Sequence, residues 1–237
     1  MVSEVEERLA AVQSAVARAS AESSAGGQVE LIAVTKTVGE EQILQAYRAG
    51  QRAFAENRVQ EGLRKIESLK QLMPDARWHL IGHLQTNKVR SAVTAFQVIE
   101  SIDSLHLAES VSAEAERALV SVPILIEINI AGEGSKTGFT AEAYWKAFPD
   151  LRRLPGMQLR GLMTVAPLAG DTSDVAWVFQ KLRELRDTTQ LRFDVPEFRE
   201  LSMGMSNDFE VAIREGATMI RVGRAIFGER PPRTRHE

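Results

Sequence analysis

Apolar positions along this chain switch repeatedly between a helical and a strand-like period. Ser3 with Glu6 three residues later has the form of a capping box, and Val5, Leu9, Val12 and Val16 follow at helical spacing, which predicts a helix over 3–19. A Ser/Gly-rich stretch ends it between Ser20 and Gly27. Short apolar runs then read as buried strands at 30–35, 52–56, 77–81, 95–99, 123–129, 158–163, 199–203 and 218–222. Helical patterns lie between them, near 40–49, 58–72, 86–92, 104–119, 140–149, 173–189 and 206–215.

Strands alternating with helices through short connections predict an α/β protein, a single (β/α)8 TIM-type barrel with an extra N-terminal helix. No Gly-x-Gly-x-x-Gly follows the first strand, which argues against a doubly wound dinucleotide fold. With no low-complexity linker and no internal repeat, the barrel is expected over 27–230. Residues 1–26 are expected to form a helix and connection packed on it, and 231–237 a flexible tail. Only fifteen residues follow position 222, too few for a full eighth helix, so the first helix is expected to cover that gap in the outer ring.

Composition removes several classes of function. Of the 237 residues, 44% are hydrophobic, enough for a core, and a net charge of -3 with mixed signs offers no basic face for nucleic acid or a membrane surface. The absence of cysteine excludes disulfides, thiolate catalysis and Cys-based metal sites. The acidic start MVSEVEERLA lacks the order of a signal peptide, and no apolar run approaches the roughly 20 residues of a membrane span. A soluble, cytoplasmic protein is the expectation. His79, His83, His106 and His236 show no ligand spacing, so no metal is expected.

In such barrels, polar residues at the carboxyl ends of strands face the active site. That places Lys36, Asn57, His83, Asn129, Met163 with Thr164, Ser202 and Arg221 at the mouth. The segments 201–209 and 221–228 each bring a hydroxyl or a glycine beside free helix-terminal N–H groups, which is how an anion is held. Glu127 could face either way, His79 reads as structural, and the three tryptophans read as packing.

The runs AVTKT, FAENRVQE, WHLIGHLQTNK, GLMTVAP, LSMGMSNDFEVAI and IRVGRAIFGER, spread over about 30–230, resemble the YggS/PROSC family of pyridoxal phosphate homeostasis proteins. That family is similar in fold to the barrel of alanine racemase. The resemblance implies pyridoxal 5'-phosphate as cofactor, held as an aldimine on Lys36 without significant turnover. It also implies Asn57 beside the ring and Arg221 facing the pyridine nitrogen, with Ser202 and the backbone of Gly223 and Arg224 on the phosphate. Ser206 stands between a ligand role and a helix cap. Ala55 departs from the glycine more usual before Glu-Asn in that family.

An arginine can only donate, so it disfavours protonation of the ring nitrogen and leaves the cofactor weakly activated. The expected role is therefore a non-catalytic carrier acting in intracellular cofactor homeostasis, a monomer or weak dimer with cofactor-dependent apo-enzymes as recipients. The alternative, an amino-acid racemase, needs a second base across the ring, and Tyr47 and Tyr144 fall in helical stretches facing the outer ring. A third reading, a sugar-phosphate Schiff-base lyase without cofactor, does not account for Arg221.

Overall fold

Eight short runs of alternating apolar residues pair in register, all parallel, and close on themselves. They are β1 (Glu30–Val34), β2 (Ala53–Glu56), β3 (Arg77–Leu80), β4 (Val98–Ile102), β5 (Val122–Glu127), β6 (Met157–Met163), β7 (Glu200–Ser202) and β8 (Met219–Val222). β8 returns to β1 with Ile32 opposite Arg221, so the sheet has no free edge. The computed structural model describes residues 2–23, 28–134, 136–167 and 172–229. The expected tail 231–237 and part of the connection before the barrel lie outside them.

Helices alternate with the strands: α2 (Glu40–Arg48), α3 (Val59–Leu69), α4 (Val89–Ala95), α5 (Leu105–Ala118), α6 (Ala141–Leu151), α7 (Ala176–Phe193), α8 (Phe209–Arg214) and a single turn, α9 (Arg224–Phe227). Ahead of them α1 (Glu4–Glu22) begins in the capping box read from the sequence. Ser3 Oγ accepts from Glu6 N–H at 3.2 Å, and Glu6 Oε2 accepts from Ser3 N–H at 2.8 Å. The stripe Val5, Leu9, Val12, Val16 and Ala19 is buried, and α1 packs against α2, α8 and α9, where the outer ring lacks a long eighth helix. Leu9 is fully enclosed, and truncating it to alanine would cost about 2–5 kcal/mol.

The two-residue period of each strand sorts its side chains. Leu80, Ile99, Ile124, Ile126, Leu162, Leu201 and Ile220 point outward into the main core beneath the helices. Ile32, Val34, Ala53, Ala55, Leu125, Met163 and Met219 form a separate apolar cluster inside the barrel. That inner cluster is small because the same interior also holds His79, Glu100, Ser202 and Arg221, all buried.

Seven strands lie within two residues of expectation. The fourth does not: 95–99 was expected and Val98–Ile102 is found, since Ala95 ends α4 and Phe96 caps it. Glu100 and Ser101, polar in the second half of this strand, are both buried, with Glu100 paired inside the barrel. Trp177 also departs from the packing role expected of it and is 48% exposed.

Candidate functional site

At the end of β1 the chain turns through Thr35, Lys36 and Thr37 before α2. Thr35 continues the strand, its N–H donating to Ala55 O at 2.9 Å, and its side chain is wholly buried on the helix side. The pleat therefore sends Lys36 the other way, to the mouth. Thr37 has φ 65, left-handed backbone that a β-branched residue seldom adopts. At the end of β2, Asn57 also turns to the mouth. Gly82 lets the chain leaving β3 pass it closely, since a Cβ there would lie 2.3 Å from Asn57 O.

Arg221 comes from lower in the barrel, at the level of Ile32, and its long side chain spans the distance to the mouth. It is 4% exposed. Nη1 donates to Ser202 Oγ at 2.6 Å and Nη2 to Thr164 O at 2.8 Å. Ser202 Oγ donates to Glu100 Oε2 at 2.5 Å, and Glu100 Oε1 lies 2.7 Å from His79 Nδ1. Burial pulls the guanidinium below its ordinary pKa, opposed by the charges of Glu100, Asp208 and Glu127. Burial alone would raise Glu100, but His79, Arg221 and Ser202 outweigh it and hold the carboxyl below its usual value.

This arrangement revises the expectation for Ser202. Its hydroxyl has no exposed surface and is occupied by Glu100 and Arg221, one layer beneath the mouth. Ser206, four residues on, stands where Ser202 was expected. Its Oγ accepts from the N–H of Gly223 at 3.3 Å and of Ala225 at 3.5 Å, so it meets the start of α9 rather than capping α8. The loop between them turns at Gly204 (φ +93), packed so closely on α8 that a Cβ would lie 2.6 Å from Ala212 Cβ. Asp208 Oδ1 fixes the loop by accepting from Met205 N–H at 2.5 Å.

A cavity of about 600 Å³ gathers Lys36, Asn57, Ser206, Arg221, Gly223 and Arg224, with Val34, Ile81, Val165 and Pro167 as apolar walls. Five of the six residues expected at the site thus share one space, and Ser202 is the exception. Asn57 Oδ1 is buried there without a hydrogen-bond partner. A second cavity of about 740 Å³ shares Lys36 and Asn57 and adds Arg58, Glu61, His83 and Lys88.

His83 Nδ1 lies 2.9 Å from Asp103 Oδ2 at this rim. Glu127 faces inward: burial raises its carboxyl above the usual value despite a 2.8 Å bond from Thr137 Oγ1. Asn129 serves its own loop, donating from Nδ2 to Glu133 O and Lys136 O. Thr164 Oγ1 donates to Ile128 O, and Met163 is in the inner cluster, so neither opens to the cavity. Among the described residues no group of acidic or histidine side chains could hold a metal, and no helix is long and apolar enough to cross a membrane.

A closed (β/α)8 barrel, with a lysine after its first strand and a turn after its eighth whose N–H groups meet Ser206 Oγ, defines the class. The alanine racemase N-terminal domain family matches residues 8–231. A pyridoxal phosphate homeostasis protein of Aquifex aeolicus is 42% identical over 225 residues, covering 94% of this chain and 97% of the relative. The solved structure of PipY from Synechococcus elongatus with PLP bound superposes with TM-score 0.84 at 38% identity, over 94% of this chain and 100% of that one. Alanine racemase of Clostridium difficile shares the fold alone, with TM-score 0.69 at 15% identity over 86% of this chain and 53% of that one. The chain belongs to the alanine racemase N-terminal domain family, and within it to the family of the pyridoxal phosphate homeostasis proteins.

Proposed function

We propose that this chain holds pyridoxal 5'-phosphate at the barrel mouth on Lys36 and serves its supply in the cytoplasm rather than turning over a substrate. The observation that carries the reading is the single cavity joining Lys36, Asn57, Arg221 and the Ser206–Gly223–Arg224 turn. The fit is chemical. A phosphorylated pyridine aldehyde needs an amine at one end, anion donors at the other, a donor or acceptor at each ring substituent and apolar walls between. Lys36 is the amine. Ser206 Oγ and the backbone of Gly223 and Arg224 supply the anion end. The orphaned Asn57 Oδ1 offers an acceptor to the ring hydroxyl, and Val34, Ile81 and Val165 supply the walls.

When bound, the cofactor supplies an aldehyde with which a neutral lysine amine condenses, releasing the carbonyl oxygen as water. The chain's own residues do the rest. Arg221, fixed by Ser202 and Thr164 and backed by Glu100, presents N–H groups only, so the ring nitrogen is offered no proton acceptor. That favours retention over carbanion chemistry. Tyr144 is buried against Thr189 and Tyr47 is bound to Asp75, and neither lines a mouth cavity, which supports the carrier reading against a racemase. The PLP named with PipY and the names of the relatives support the same cofactor here. Cofactor-dependent apo-enzymes are the recipients proposed.

The test begins with the absorption spectrum of the purified protein and borohydride reduction. A visible band that disappears, with the pyridoxyl mass mapped to Lys36 and lost in Lys36→Ala, is expected; the mass on Lys88 or Lys136 would refute the assignment. For turnover, solvent-deuterium exchange at the α-carbon of L- and D-amino acids should be slow or absent. Exchange with racemisation at on the order of 1–1000 per second would restore the racemase.

A further inference from the structure

Lys65 is more deeply enclosed than Lys36, with 10% of its side chain exposed, yet it lies outside the barrel, on the third helix. Its Nζ donates at 2.7 Å to Thr35 O, at 2.7 Å to Glu56 Oε1 and at 2.8 Å to Glu61 Oε1. Glu56 Oε1 also receives Thr35 Oγ1 at 2.6 Å, and Glu61 Oε1 receives Thr37 N–H at 2.7 Å. One ammonium and two carboxylates therefore grip the residue before Lys36 by its carbonyl and hydroxyl, and the residue after it by its amide. The amide held is that of Thr37, whose left-handed backbone needs such support.

We infer that Lys65, Glu61 and Glu56 form a clamp that sets the backbone of the Lys36 turn, making them positioning residues for capture of the cofactor by Lys36. None of the three stands among the residues proposed to touch the cofactor. Glu61 alone reaches a cavity wall, and its Oε1 is taken by Thr37 and Lys65. The geometry gives the three unequal parts. Glu56 is fully buried and anchors the cluster to β2, with Oε2 left without a partner. Lys65 joins the two acids. Glu61 holds the strained amide directly, and being partly exposed it can be altered without opening the core.

Presentation of the amine and shape of the pocket are separable here, because the anion turn after β8 and Arg221 lie on other strands. Loosening the Lys36 turn should therefore slow covalent capture while sparing non-covalent recognition. A reacting group displaced by about an ångström loses up to about a hundredfold in rate. The inference rests on the cofactor reading above, and the experiment separates the two.

Glu61→Ala removes the acceptor from Thr37, whereas Glu61→Gln keeps an oxygen at that place. Three quantities are compared: the rate of pyridoxal 5'-phosphate capture trapped by borohydride, the affinity for pyridoxine 5'-phosphate, whose alcohol cannot condense, and hydrogen exchange at the Thr37 amide of cofactor-free protein. For Glu61→Ala, capture about tenfold to a hundredfold slower is expected, with pyridoxine phosphate affinity within about twofold and Thr37 protection lost. Glu61→Gln should restore most of the capture rate. Capture unchanged in Glu61→Ala, or affinity for pyridoxine phosphate falling in parallel with capture, overturns the clamp. If the parent itself captures nothing at Lys36, the cofactor reading fails, while Thr37 exchange still reports whether the turn is held.

Discussion

Two buried ionic clusters flank the mouth, and they use similar groups for different ends. In the inner one, His79, Glu100 and Ser202 hold Arg221, whose guanidinium reaches the cavity. In the outer one, Glu56, Glu61 and Thr35 surround Lys65, whose ammonium lines neither cavity and binds the Thr35 carbonyl as well as the two acids. Their carboxylates respond oppositely. Glu100 is held below its usual pKa, because its partners outweigh burial; Glu56 is pushed above it, because burial outweighs Lys65 and Thr35. A buried carboxylate with both oxygens satisfied stays ionised, whereas one with an orphaned oxygen is closer to taking a proton. The inner cluster is thus built to keep a charge in place, and the outer one to hold a turn.

Removing a central charge from either cluster is the most damaging change. Glu100→Ala leaves Arg221 buried without its acid and should lose about 3–5 kcal/mol in urea unfolding. Lys65→Met should cost a similar amount, about 3–5 kcal/mol, near neutral pH, but the loss should shrink in acid. The sign follows from Glu56. Its folded pKa lies above the unfolded value, so its stabilising contribution is complete below the unfolded value and is lost as pH rises through the folded one. Glu100 is the reverse: its contribution is complete above the unfolded value and is lost as pH falls through the folded one. Urea midpoints taken from about pH 8 down to about pH 4.5 should therefore converge on the parent for Lys65→Met. A constant gap would mean that Glu56 does not take up the proton.

A smaller effect separates the two serines. Ser202→Ala should lower stability by about 1–3 kcal/mol, since Glu100 and Arg221 each lose a buried partner. Ser206→Ala should leave stability within about 0.5 kcal/mol and weaken pyridoxine phosphate binding about tenfold, as one charge-assisted hydrogen bond is lost. Calorimetric titration beside thermal melting reads both. If Ser202→Ala weakens the ligand more than Ser206→Ala, the anion lies deeper in the barrel than proposed here.

The barrel was legible in the order of residues alone, because eight buried runs separated by helical periods leave few ways to hide the apolar faces. That order also determined where Lys36, Asn57 and Arg221 would meet, since the ends of parallel strands all open on one face. What it could not supply was depth. Ser202 and Ser206 are both hydroxyls near the end of β7, and only the pairing of Met163 with Ser202 puts the first within the packed interior. The fourth strand was misplaced for the same reason. Glu100 reads as a surface residue until His79 and Ser202, 21 and 102 residues away in the chain, are brought against it. Likewise nothing local in the third helix distinguishes Lys65 from a solvated lysine. Tertiary structure decided these points because a buried charge is tolerable only beside partners, and those partners come from strands and helices that are neighbours in space alone.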